Sequence, residues 1–288
     1  MAAVTAPGRV EQPAGEPPRG KRRWVLVGVV AAWIVVVSVL AVWSVGHERP
    51  TVPEQRDLEL AVGDLQRAAG VVFAAAGAEG RPVALGPLEL SRECRVTPVR
   101  QGLIAARNVT VLAPAGQTPE AVRAIANRLP AGWAADVAEG RGGTRVSLHA
   151  DAGNFIGVDL TTESSTQVFS LRLTTGCRPV DGDPPSGADP AAPAEPGVLP
   201  QVLTGLDAVP APPAVRAVTC PSGAVAASYT VDGIRMTSDL AGRMRRLAGD
   251  AKLLSSDSGS YAYRSGDVSV LVLPTGGLMR VVVSTACQ

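Results

Sequence analysis

Two stretches, LRLTTGC at Leu171–Cys177 and VVVSTAC at Val281–Cys287, share one pattern: apolar, any, apolar, hydroxyl, Thr, small, Cys. The alternation ahead of each cysteine predicts a strand that ends at a thiol. Each stretch closes a strand–helix–strands run that begins near another cysteine, Cys94 in the first case and Cys220 in the second. Such recurrence marks an internal repeat. The predicted fold is an α+β ectodomain of two similar disulfide-closed units, each a cysteine-bearing strand, a helix and an antiparallel meander.

In the first unit, Cys94 opens a segment that turns strand-like through Ile104–Leu112, with Val109 and Val111 on one face. Thr118, Pro119 and Glu120 supply an N-cap, a first-turn proline and an acid near the positive end of the helix dipole. Val122, Ile125 and Leu129 set the apolar stripe of a helix over 119–129, which Pro130 stops. Strands follow near 132–138, 144–150, 155–161 and 167–176, separated by Gly140, Gly142, Gly143 and an Asp151–Asn154 turn. In the second unit Val225, Ala227, Tyr229 and Val231 alternate as a strand. Thr237, Ser238 and Asp239 start a helix with the stripe Leu240, Met244 and Leu247. Strands near 259–264, 267–273 and 279–286 complete it, with Gly276-Gly277 as a hairpin turn.

Upstream, Thr51 and Glu54 fit a capping box, and Leu58, Val62, Leu65, Ala69 and Val72 form one apolar stripe on a helix of about residues 53–76. The stripe is also a short heptad. Packing on the following domain is the preferred reading over a membrane-proximal coiled-coil homodimer. Gly63 and Gly70 weaken the helix in isolation. Residues 77–90 read as a Gly/Pro-punctuated loop, 179–200 as a Pro-rich linker and 201–208 as a short helix.

The uncharged run Trp24–Gly46 is long enough, at ~1.5 Å per residue, to cross a ~30 Å hydrocarbon core as a helix. Trp24 and Trp43 near its ends suit the two interfaces. Lys21, Arg22 and Arg23 abut it, which places the N-terminus in the cytoplasm and the long C-terminal region outside. A cleaved signal peptide is the rival reading; the length of the run and of the preceding tail oppose it.

Four cysteines allow three pairings. The repeat selects Cys94–Cys177 and Cys220–Cys287, in keeping with an oxidising compartment. Zinc is the other use of four cysteines, but no Cys-x-x-Cys knuckle is present.

No catalytic, cofactor or metal residues are assigned. His47 lies at the membrane edge, and His149 alternates with Arg145 and Ser147 on the polar face of a strand. The Gly140–Thr144 stretch lacks the lysine and following helix of a phosphate loop, and a hairpin turn explains it. Asp181, Asp183 and Asp189 lack calcium-loop spacing and read as a solvated linker. Arg243, Arg245 and Arg246 lie off the apolar stripe and read as a solvated helix face. Asn108-Val-Thr110 matches a glycosylation acceptor within a strand. Asp136, Glu139, Asp159 and Glu163 are the dispersed carboxylates an envelope hydrolase would draw on.

Lysine occurs only at Lys21 and Lys252, and arginine supplies the other basic side chains. With the Ala, Gly, Pro and Val excess, the chain resembles uncharacterised single-pass membrane proteins of high-GC, actinobacterial-type bacteria. Net charge is +1: the N-terminal tail carries +3 and residues 24–288 sum to −2, so nothing favours a nucleic-acid partner. The expected organisation is a disordered cytoplasmic tail (1–23), a transmembrane helix (24–46), a first extracytoplasmic unit (47–178), the linker (179–200) and a second unit (201–288). The expected function is a membrane-anchored binding protein for an envelope protein or polymer. The alternatives are a carboxylate-using envelope enzyme and an assembly subunit that dimerises through the membrane-proximal helix.

Overall fold

The computed structural model describes residues 19–47, 57–98, 100–180, 187 and 189–287. The chain divides into two compact units, Met1–Thr51 and Val52–Gln288. In the first, helix α1 runs Arg19–His47, and its Arg23–Ser44 portion is long and apolar enough to cross a membrane. By length and composition it fits a membrane anchor or a signal sequence.

The second unit holds two antiparallel sheets of six strands each, an α+β fold. Helix α2 (Leu58–Gly77) leads into the first sheet. It is made of β1 (Val83–Thr97), β2 (Arg100–Leu112), helix α3 (Thr118–Ala126), then β3 (Asp136–Gly140), β4 (Arg145–Asp151), β5 (Gly157–Glu163) and β6 (Val168–Thr174). Helix α4 (Val198–Gly205) leads into the second. That sheet contains β7 (Ala214–Thr219), β8 (Val225–Arg235), helix α5 (Leu240–Ala248), β9 (Leu254–Ser255), β10 (Tyr261–Ser265), β11 (Val268–Thr275) and β12 (Leu278–Thr285). The spatial orders, β1-β2-β6-β5-β4-β3 and β7-β8-β12-β11-β10-β9, correspond position for position. In each, a hairpin is followed by a helix that carries the chain to the far edge, and a meander brings it back beside the hairpin.

Each sheet therefore opens with a hairpin, where the sequence predicted a single strand. Residues 83–90 were expected in a loop because of Gly86 and Pro87. They form the start of β1, an edge strand in which the register shifts between Leu85 and Leu88. A bulge on an edge is where a sheet tolerates proline. At this open edge the Leu85 N–H donates to Ser228 Oγ of the other sheet at 2.9 Å. Strand β7 was likewise unpredicted behind Pro210, Pro212 and Pro213. The strand expected near 132–138 starts at Asp136, after a 3₁₀ turn at Ala131–Trp133. Helix α2 begins at Leu58 with Asp57 as its N-cap, accepting from the Glu59 N–H at 2.9 Å. The expected capping box at Thr51 and Glu54 lies outside the described residues.

The α2 stripe of Leu58, Val62, Leu65, Ala69 and Val72 is buried with Val122, Ile125, Val109, Val146 and Leu171, so α2 and α3 cover one face of the first sheet. Helices α4 and α5 cover one face of the second, through Val202, Leu240 and Met244 over Tyr229, Val281 and Val283. The opposite faces meet in a small cluster of Ala84, Leu112, Ala262, Leu271 and Val282. This explains a contrast in the sequence. VLVL at 270–273 and VVV at 281–283 are unbroken apolar runs because both faces of those strands are covered, whereas β4 alternates because one face is wet.

Disulfides link Cys94 to Cys177 and Cys220 to Cys287. The first ties β1 to the end of β6 across β2. There Gly102 is needed, because a Cβ would lie 2.7 Å from both Cys177 Sγ and the Arg178 carbonyl. The turn between β11 and β12 uses Gly276 (φ 58°) and Gly277 (φ 84°), left-handed at both central positions as a two-residue hairpin requires.

Tyr263 on β10 is 2% exposed, and its hydroxyl has no hydrogen-bond partner among the described residues. Burial pushes its pKa up. Tyr263→Phe is expected to raise unfolding stability by about 1 kcal/mol, since it removes a desolvated, unpaired hydroxyl. The unfolded chain ionises this phenol first, so its contribution is lost as pH rises above about 10. The Phe variant should therefore lose less stability between neutral and alkaline pH. Urea melts at both pH values check each part.

Candidate functional site

Beyond the apolar contact between the sheets lies a cleft of about 330 Å³, with one wall from each. Glu89 on β1, Asn108 and Thr110 on β2, and Ser170 on β6 form the first wall. Arg216 on β7, Thr230 and Asp232 on β8, and Arg280 on β12 form the second. Strand parity places them: Thr110 lies between the core residues Val109 and Val111, and Arg280 between Met279 and Val281.

The walls are held by local pairing. The Thr110 and Ser170 hydroxyls are 2.9 Å apart on directly paired positions. Glu89 accepts from Arg172 Nη1 at 3.1 Å and from Asn108 Nδ2 at 3.4 Å. Arg280 is ion-paired with Asp232 on the neighbouring strand. The Ser228 and Ser284 hydroxyls, 2.6 Å apart, join the second sheet to the Leu85 N–H of the first. Two acids, two bases and four neutral hydrogen-bonding side chains line the cleft, together with Leu85, Pro87, Ala214 and Val282, so its lining is mixed polar and apolar. Its charges balance, so recognition there rests on donor and acceptor geometry.

The carboxylates considered for catalysis are dispersed. Glu139 lies on the helix-covered side and pairs with Arg123 of α3. Asp136 and Asp159 flank His149 in one cross-strand row, and His149 Nδ1 is 2.7 Å from Asp159 Oδ1 on an exposed face. Glu163 sits directly opposite Arg145. Among the described residues, no group of three or more His, Cys, Asp or Glu side chains is placed to hold a metal ion. The side chain of His47 lies outside the described residues.

Two solvated-surface readings are corrected. Arg243 is partly buried and joins α5 to the end of α4, bonding Asp207 at 2.6 Å and the Gly205 carbonyl at 2.9 Å. Asp189 is not a free linker side chain. It accepts from fully buried Arg107 through both carboxylate oxygens, at 3.0 and 2.9 Å, and from the Ala217 N–H of β7 at 2.8 Å. Gln66 of α2 also bonds both Asp189 and Arg107. The Pro193 and Ala194 carbonyls accept from the Tyr229 hydroxyl. Asp181 and Asp183 lie outside the described residues. Sequence reasoning missed Arg107, although it shares the inward parity of Val109 and Val111; an arginine there requires a buried acceptor.

Three groups outside the cleft titrate away from their ordinary ranges. Hydrogen bonds from Arg128 and then Arg81 lower Glu79. Burial raises Tyr229, with Glu195 adding to the effect, and burial raises Tyr263.

Fold and site together define a two-sheet, disulfide-linked α+β domain with a cleft of mixed polar and apolar lining, which follows an apolar N-terminal helix in the sequence. No protein-family model and no curated protein matches the chain. A solved structure of a DUF4853 family protein from Actinomyces odontolyticus aligns with 60% of this chain and 91% of its own length, at 14% identity and a TM-score of 0.35. No residue role follows from a likeness of that size.

Proposed function

We propose that the protein is a membrane-tethered, extracytoplasmic binding module that holds a polar envelope protein or polymer between two copies of one α+β unit. The apolar helix is the retained anchor, with Lys21, Arg22 and Arg23 on the cytoplasmic side. Two disulfides agree with an oxidising exterior. The observation that carries the reading is the cleft itself, whose two walls come from corresponding strands of the two sheets. The buried α2 stripe supports a domain-packing role for that helix over a coiled-coil stalk.

Crosslinking and co-purification from native membranes test it. The full chain is compared with R216A/R280A, and with R245A, on the solvent-facing side of α5, as a control. Loss of these surface guanidiniums costs the fold little, about 0–1 kcal/mol per pair. The double variant is expected to recover at least about tenfold less of any crosslinked species, and the control an unchanged amount. Equal recovery by both variants would remove the cleft as the binding site.

A further inference from the structure

A second cleft, of about 790 Å³, lies at the far side of the first sheet, where the turn Arg141–Gly143 joins β3 to β4. It shares no residue with the cleft between the sheets. Arg141, Arg145, Thr161 and Glu163 are among its lining residues. Arg145 opens β4 and points to the polar face, directly opposite Glu163 on β5. Arg141 holds a left-handed backbone (φ 52°), a conformation that disfavours any residue with a side chain. The turn is fixed from outside the guanidiniums. Thr144 Oγ1 donates to the Arg141 carbonyl at 3.0 Å, Ser164 Oγ to the Gly143 carbonyl at 2.6 Å, and the Ser164 N–H to the Thr144 carbonyl at 2.9 Å.

Neither guanidinium makes an ion pair or hydrogen bond among the described residues, a state they share with Arg92, Arg235 and Arg245; what sets these two apart is that both line one concavity. Even Glu163, across the strand from Arg145, forms no ion pair with it. Two unengaged planar forks in one concave, hydroxyl-lined site are the donor set for an oxyanion. The tetrahedral oxygens of a phosphate group take up such donors from more directions than the planar pair of a carboxylate. We infer that this cleft is a phosphate-recognition site, with Arg141 and Arg145 as the charged donors and Glu163 as the group that limits its affinity. The phosphate is either free inorganic phosphate or a phosphodiester within an envelope polymer.

The full chain, in a phosphate-free, uncharged detergent, is titrated calorimetrically with inorganic phosphate, dimethyl phosphate and acetate at one ionic strength. At least one phosphate probe is expected to bind at least about tenfold more tightly than acetate; the inorganic probe ahead of the diester points to the free ion, and the reverse order to a polymer. R141Q and R145Q are each expected to weaken that binding about tenfold or more, because each removes charge-assisted donors. E163Q is expected to tighten it severalfold, a gain that misfolding does not produce. Acetate binding as tightly as both phosphates would overturn the assignment, as would R145Q and E163Q that both leave phosphate affinity unchanged.

Discussion

Asp189→Ala is expected to destabilise the two-sheet unit by about 3–5 kcal/mol, the cost of leaving a buried charge without its partner. Arg107 is 0% exposed and gives two nitrogens to the Asp189 carboxylate, with its Nε on the Gly86 carbonyl at 3.1 Å. The same carboxylate accepts the Ala217 N–H of β7. One side chain from the segment between the sheets thus joins β2 of the first to β7 of the second. Removing it leaves the buried guanidinium with only the neutral Gln66 and Gly86 oxygens and takes the acceptor from the Ala217 amide at the same time. Asp189→Asn keeps an acceptor for one of them and should cost clearly less. A solvated linker residue would change stability by no more than about 0.5 kcal/mol. Urea unfolding followed by circular dichroism decides: a lowered midpoint at unchanged slope is the expected result.

Gly70→Ala comes next, with an expected loss of about 2–3 kcal/mol, against the sign of helix propensity. In an open helix the change gains about 1 kcal/mol. Here a Cβ on Gly70 would lie 1.9 Å from the Thr219 carbonyl oxygen and 3.0 Å from its carbon. The obstacle is backbone at the end of β7, next to disulfide-bonded Cys220, so it has little room to yield. Gly63, about two turns earlier on α2, has nothing nearer than Arg67 Nη1 at 3.9 Å. Gly63→Ala should therefore stabilise by about 0.5–1 kcal/mol. The pair of variants in one melting experiment separates backbone propensity from close packing.

Much of the architecture was legible because it rests on local chemistry. The stripe of α2 follows from spacing alone. Helix α3 runs Thr118–Ala126 where a stripe and a first-turn proline placed a helix over 119–129. The cysteine pairs of the structure are those the repeat selects. What escaped was the first hairpin strand of each sheet. Pro87 and the prolines before β7 read as loop signals, and only the pairing partner shows that an edge strand accommodates them. The cleft escaped for a related reason. Thr110, Ser170, Arg216 and Arg280 are ordinary polar alternations along their own strands. They become a site only when two sheets face each other.

The sequence by itself determined the apolar helix, the α+β class and the doubled strand–helix–meander pattern. Periodicity, caps and turn glycines act within a few residues and are written in order along the chain. Only the tertiary structure decided that Asp189 meets Arg107, that Gly70 is the passing place for a β7 carbonyl, and that side chains of two sheets line one cleft. Those facts depend on contacts between residues far apart in the chain, 82 positions for the Arg107–Asp189 pair. Burial and dielectric, which set their energies, exist only once the sheets have packed.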